Sequence, residues 1–234
     1  MNFIFKVLIG LLWFLAFSSC SEPKSNEESG KNYADYFYPI DNEIPVIYAY
    51  RDDKAPLDER FFRIYTIAED DSSFLVVEKY NSSFRMFEGY THFIEDDFSV
   101  LDHMMVDKHL IKVKSKIAKD KSFPLSKNET ASFIVDFPSH LDSVVMVYES
   151  NKTIIEDDIF LDVMGEEIEA IKVRDTLRIH FVKPSTKDTK TQEVVTNNYY
   201  AKGIGLVKWG DVEGEINYVL QRILSEEWWE EFAQ

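Results

Sequence analysis

The sequence predicts a mainly β protein: an antiparallel meander forming a curved sheet or half-open barrel, with few short helices. Three observations carry this expectation. From Ile44 onward apolar residues recur mostly at every second position, the period of half-buried strands. Clusters of acidic residues and asparagine interrupt the pattern at intervals of about eight to fourteen residues, as at Asp52-Asp53, Asp70-Asp71 and Asp157-Asp158. Connections that short suit hairpins and not the crossovers that parallel strands need.

Taken in order, the strand-like runs are 46–51, 61–68, 74–80, 84–94, 111–117, 133–137, 144–149, 168–173, 177–181 and 192–199. The alternation is clearest where Ile111, Val113 and Ile117 interleave with Lys112, Lys114 and Lys116, and where Phe133, Val135 and Phe137 share one parity. Leu177, Ile179 and Phe181 interleave with Arg178 and His180, which places His180 towards solvent. Gly210-Asp211-Val212-Glu213-Gly214 reads as the loop of a closing hairpin between 205–209 and 216–224. Only two stretches suggest helix: 97–109, and a terminal turn over 225–232.

The chain divides into a leader over 1–19, a tether over 20–32 and a single β-rich domain over 33–234. The leader has one lysine, Lys6, then the apolar run from Val7 to Phe17 and small residues before Cys20. That is a signal-peptide layout. As a helix the run reaches about 16 Å, short of a hydrocarbon core of about 30 Å. Phe17-Ser18-Ser19-Cys20 resembles a lipobox, with Phe17 bulkier than the usual leucine. The resemblance implies cleavage before Cys20, diacylglycerol on its sulfur and an acylated amino terminus, hence a bacterial envelope protein anchored to the membrane by lipid. Cys20 is the one cysteine of the chain; once alkylated, it leaves no thiol for disulfides, catalysis or metal binding. Ser21, where aspartate would favour the inner membrane, points to the outer membrane. The segment from Ser21 to Asn32 has no large apolar side chain and reads as a flexible tether.

Net charge is −16 over 234 residues, and −17 without the leader. Such a surface repels phosphate backbones, which excludes nucleic acid as a partner. It also repels anionic lipid, so membrane attachment falls to the acyl chains. Aromatic residues make up 15% of the chain, enough with the aliphatic residues to build a folded core.

The run Val163-Met-Gly-Glu-Glu-Ile-Glu-Ala-Ile-Lys-Val173, followed by Tyr199-Tyr-Ala-Lys-Gly-Ile-Gly-Leu-Val-Lys208, resembles a group of bacterial lipoproteins related to the LolA/LolB-type carrier fold. The match covers about 162–224. It implies a curved antiparallel sheet around an apolar hollow. Independently, Gly203 and Gly205 let a strand bend or another backbone approach, as a strongly curved sheet requires. They do not form a phosphate loop, since no Gly-Lys-Ser/Thr follows.

No catalytic or cofactor-binding constellation emerges. His103, Asp107 and His109 are ligand-type residues, but their spacing fits no familiar metal motif; His92 and His140 stand apart. The runs Glu95-Asp96-Asp97, Glu156-Asp157-Asp158 and Glu166-Glu167 read as solvated turns, because paired-carboxylate chemistry needs a defined separation in a cleft. Asp142-Ser143-Val144 and Asp175-Thr176-Leu177 resemble a bacterial O-glycosylation acceptor pattern. Trp228-Trp229 reads either as a docking patch for a partner or the bilayer interface or, the favoured reading since exposed tryptophan pairs are rare without a partner, as a tail that folds back to plug the open end of the sheet. The expected role is non-enzymatic: binding an apolar ligand or an envelope protein through the curved sheet. A surface hydrolase or carbohydrate-processing enzyme, and an accessory subunit of an envelope complex, are the alternatives.

Overall fold

The computed structural model describes residues 31–94, 97–107, 109–138 and 143–233. The leader, Cys20 and the tether as far as residue 30 lie outside the described residues, as do Glu95, Asp96, His140 and Asp142. Among the described residues no helix is long and apolar enough to cross a membrane.

Among the described residues, thirteen antiparallel strands form one sheet. They are β1 (Val46–Asp52), β2 (Glu59–Glu69), β3 (Ser72–Tyr80), β4 (Met86–Phe93), β5 (Val100–Val106), β6 (Lys112–Lys114) and β7 (Lys116–Asp120). Then follow β8 (Thr130–Pro138), β9 (Val145–Val163), β10 (Glu166–Lys183), β11 (Asp188–Ala201), β12 (Gly205–Asp211) and β13 (Asn217–Ser225). A short helix, α1 (Glu226–Phe232), ends the chain. Each strand pairs with its neighbour in sequence, with one exception, and β1 also pairs with β13.

The exception is β6 and β7, the two edges of the sheet. Only Ser115 separates them, and one residue cannot make a hairpin. The chain therefore stays extended through Ser115 and exchanges partners. β6 pairs with β5, β7 with β8, and the Ser115 amide donates to the His103 carbonyl at 2.9 Å. The alternation at 111–117 is thus one extended segment serving two edges. An isolated bridge between Ser99 and Lys121 ties the two sides again beyond β7.

Inward-facing residues follow the registers. Tyr48 and Tyr50 of β1, Phe62 and Ile64 of β2, Leu75 and Val77 of β3, Val173 of β10 and Tyr200 of β11 belong to one buried cluster. The intervening residues Ile47, Ala49 and Phe61 form a second cluster on the opposite face. There α1 packs, with Trp229 ring centroids 4.7 Å from Tyr80 and 5.5 Å from Phe84. Ser225 caps the helix, as its hydroxyl accepts from the Trp228 amide. Glu226 takes a forked contact from Arg63, the shortest arm being 2.7 Å. The tryptophans therefore cover the outer face instead of plugging the open end.

The plug comes from the other end of the domain. A 3-10 turn over Ala34–Tyr36 brings in Tyr33, Tyr36, Phe37 and Tyr38, all buried. Phe37 packs on Phe98, Phe123 and His92. Lys31 reaches Asp158 at 2.5 Å and Glu169 at 3.1 Å, so the chain enters the body already held.

Three further readings of the sequence need correction. The stretch 97–109, expected to be helical, contains strand β5. Its alternation is hidden because an inward position is filled by the polar His103, which is buried against Tyr90 and Phe133. Asp157-Asp158 is not a break: β9 runs through it, and the two residues bulge between the pairs Lys172↔Glu156 and Ala170↔Ile159, with Asp158 at φ +54°. Gly203 lies in the β11–β12 turn at φ +73°, and Gly205 opens β12 at φ +99°, so they do not alternate within one strand. The close-approach reading holds at Gly205. A Cβ there would lie 2.5 Å from the Tyr38 ring and 3.2 Å from its Cα, where the plug presses on the sheet.

Candidate functional site

The curled sheet leaves a cavity of about 610 Å³. Its position follows from the pairing. β1 ends, β2 begins, β3 ends and β4 begins at the same end of the sheet, opposite to the plug. Arg60, Asn81, Phe87, Ile216 and Tyr218 from these ends and loops line the mouth. Deeper walls come from Phe62, Tyr90, Tyr148, Tyr200 and Trp209, with Lys79, Lys152, Asp175 and Asn198 among them. A smaller hollow of about 80 Å³ continues inward to Phe37 and Tyr38 of the plug.

The rim is built around Asp58. It accepts from the Tyr218 hydroxyl at 2.6 Å and from Arg60 at 3.2 Å, and the Arg60 guanidinium lies over the Tyr218 and Phe87 rings. Burial, then the Asp58 hydrogen bond, push the Tyr218 hydroxyl up to about 12. Trp209 is held between Tyr218 at 4.6 Å and Phe62 at 5.5 Å, stacked on both, with the Tyr50 ring edge-on. These rings are a fixed wall.

Behind the wall runs a buried charge chain. Lys79 meets Glu88 at 2.6 Å, and the ammonium lies 4.7 Å from the Tyr90 ring centre. Glu88 accepts from the Tyr90 hydroxyl at 2.7 Å and lies 3.3 Å from His103 Nε2. His103 Nδ1 reaches the Ser115 hydroxyl at 2.8 Å. Burial opposes the charge on Glu88, but Lys79 and His103 together hold its carboxyl well below the usual carboxylate range. A serine, a histidine and a carboxylate in line suggest a nucleophile triad. None of Ser115, His103 and Glu88 lines the cavity, and Ser115 sits where the chain passes from one sheet edge to the other. The chain of contacts fastens the seam to β4 and β5.

A second polar group faces the cavity. Lys152 and Asp175 are direct cross-strand partners on β9 and β10, so their side chains leave the same face. Lys152 donates to the Ser122 carbonyl at 3.0 Å, and Asp175, 8% exposed, accepts from the Ser150 hydroxyl at 2.8 Å. Among the described residues neither has an ion-pair partner within 4.0 Å. Burial, and next the charge of Asp175, raise the Tyr200 hydroxyl above its ordinary value. Burial, with Glu88 and Asp175 behind it, does the same for Tyr148.

Of the residues singled out in the sequence, few meet here. His92 is buried behind the cavity, with Nδ1 3.1 Å from the Phe98 carbonyl. His103 belongs to the charge chain. Asp107 closes a turn by accepting from the amides of His109 and Ile111. His180 contacts Thr191 on the part of β10 running beyond the mouth. Among the described residues no three His, Cys, Asp or Glu side chains cluster as metal ligands. Asp157 and Glu169 latch the plug through Tyr33 and Tyr36 at 2.6 Å each. Lys152 belongs to no motif, and the strings that contain Asp175 and Tyr200, Asp175-Thr176-Leu177 and Tyr199–Lys208, do not point to a cavity. The only sequence trace of the site is a charged or polar residue at an inward position of a strand, and that is visible only once the register is known.

No family model matches this chain, and no curated protein does. Similar solved structures include a candidate lipoprotein from Parabacteroides distasonis, at 12% identity and a TM-score of 0.41, covering 80% of this chain and 97% of that one. Another is a candidate exported protein with a YmcC-like fold from Bacteroides fragilis, at 11% identity and a TM-score of 0.37, covering 80% and 98%. Likeness this distant carries no argument about function.

Proposed function

We propose that this chain is an exported envelope lipoprotein, anchored through Cys20 in the outer membrane, that holds a ligand in the hollow of its curled sheet and is not an enzyme. The observation that carries the ligand reading is the cavity of about 610 Å³, walled by packed rings. Its size lies within the range of small-molecule sites, about 300–1,000 Å³. The non-enzymatic reading is supported by the lining: among the described residues Asp175 is its one carboxylate, where paired-carboxylate chemistry needs two. The anchor reading rests on the sequence at 17–20.

Two measurements test it. Intact mass of the membrane-extracted chain should show a triacylated Cys20, and Cys20→Ala should abolish detergent-phase partitioning; a soluble chain with a free amino terminus would refute the anchor. Calorimetric titration with 2-phenylethanol, a small neutral aromatic, should give saturable binding. Filling the mouth by Thr196→Trp should remove it. Unchanged heats in that variant would place binding outside the cavity.

A further inference from the structure

The geometry points to a small zwitterion as the cavity's ligand, an ammonium and an anionic group a few atoms apart on an apolar body, bound by Asp175 and Lys152 respectively. This rests on the reading of the cavity as a ligand site and specifies its chemistry.

An aspartate and a lysine directly opposite on neighbouring strands have Cβ atoms about 5 Å apart and ordinarily form an ion pair. Here each is drawn to its own neutral partner, Lys152 to the Ser122 carbonyl and Asp175 to the Ser150 hydroxyl. Each group thus enters the cavity with hydrogen-bonding capacity to spare: an ammonium has three donors and a carboxylate about four acceptor sites. The other cavity ammonium is occupied, since Lys79 is taken by Glu88. Lys152 and Asp175 therefore set the charge that a ligand meets.

An uncharged apolar ligand meets neither group and gains only its apolar contacts, so it binds more weakly than a ligand that pairs with both. A simple anion would satisfy Lys152 and repel Asp175, and a simple cation would do the reverse. A zwitterion satisfies both at once. Tyr148 and Tyr200 line the same cavity as Asp175, and aromatic rings are favourable neighbours for an ammonium. Asn198 shares the wall, its Oδ1 engaged by Thr196, with the amide NH₂ left to donate. Phe62, Phe87 and Trp209 offer the apolar body its surface. Amino acids and phosphoethanolamine head groups share this charge arrangement.

The test is calorimetric titration of the membrane-extracted chain with probes of one body and different charge: L-phenylalanine, 3-phenylpropionate, phenethylamine and 2-phenylethanol. sn-Glycero-3-phosphoethanolamine represents the head-group source. L-Phenylalanine or the phosphoethanolamine probe should bind at least about tenfold tighter than either singly charged analogue, the worth of one further charged hydrogen bond. Which of the two binds identifies the source. With L-phenylalanine, Lys152→Met should reduce affinity to the level of phenethylamine, and Asp175→Asn to that of 3-phenylpropionate. The double variant Lys152→Met/Asp175→Asn leaves no unpaired charge to disturb folding; it should lose zwitterion selectivity and keep 2-phenylethanol binding. Equal affinities across the series, or variants indifferent to probe charge, would overturn the zwitterion and leave the ligand site standing. Absence of binding by every probe, 2-phenylethanol included, would overturn both.

Discussion

His92 shows how one buried side chain sets a pH limit on the whole domain. Burial holds its pKa down to about 4 from 6.5, with Lys152 and Lys79 adding to the effect, against the opposing hydrogen bond to the Phe98 carbonyl. A group with a depressed folded pKa binds protons more readily when unfolded. Its stabilisation is therefore complete above about pH 6.5 and is lost as the pH falls to about 4. At 1.36 kcal/mol per unit the difference amounts to about 3 kcal/mol. Urea denaturation from pH 7 to pH 4 should show wild-type stability declining across this window. His92→Phe should flatten that part of the curve, and parallel curves would refute the assignment. Glu88 acts in the same direction lower down, since its carboxyl stays charged until the pH is far below the usual range. Histidine was legible in the sequence as a titratable group, but its burial was not. Nothing local to Thr91-His92-Phe93 says that Phe37, 55 positions earlier, will cover the ring.

At the scale of elements, what was legible was whatever a segment decides for itself. Phe133, Val135 and Phe137 alternate because one face of β8 is apolar, and all three are buried. Ser225 followed by two glutamates and two tryptophans is a capped helical turn, and α1 forms there. The misreadings came where a partner decides. Asp157-Asp158 has turn composition, yet pairing with β10 carries the strand through it as a bulge. The two aromatic clusters at the ends of the domain were both visible as composition, but which of them would plug the barrel depends on where each end emerges. Tyr33 to Tyr38 enters beside the end formed by Gly205 and Ala201, where the absent Cβ leaves room for Tyr38. Trp228 and Trp229 follow β13 onto the outer face. Phe37→Ala should therefore remove about 3–5 kcal/mol, the usual cost of emptying a buried phenylalanine site, and open the inner hollow from the plugged end. Chemical denaturation would measure the loss, and binding of a hydrophobic dye to the folded variant would report the opening. A cost below about 1 kcal/mol would show that the plug is not part of the core.

The β-rich domain from Lys31 onward is, among its described residues, a circular meander with one fault in it. The first and last strands, β1 and β13, pair with each other over seven positions, so the chain closes its own circle at the termini. The opening falls instead at the middle of the sequence, between β6 and β7, where the chain is continuous but the hydrogen bonding is not. This arrangement follows from strand order together with the single-residue link at Ser115, and neither is visible in a periodicity. It bonds β1 and β13 on both sides and concentrates weakness in one seam, held by the Ser115 amide, the Ser115–His103–Glu88 contacts and the Ser99–Lys121 bridge. Local opening should follow this distribution, because strands bonded on both sides open only with the global structure while single-sided edges open locally. Hydrogen exchange should accordingly be fastest, among the strand amides, in β7 over Lys116–Asp120 and slowest in β1, β2 and β13. Ser115→Ala removes the hydroxyl from His103 and keeps the backbone bond. It should accelerate exchange in β5, β6 and β7 with little change at β1 and β13. Uniform acceleration would mean that the seam is not a separate unit, and that the sheet opens only as a whole.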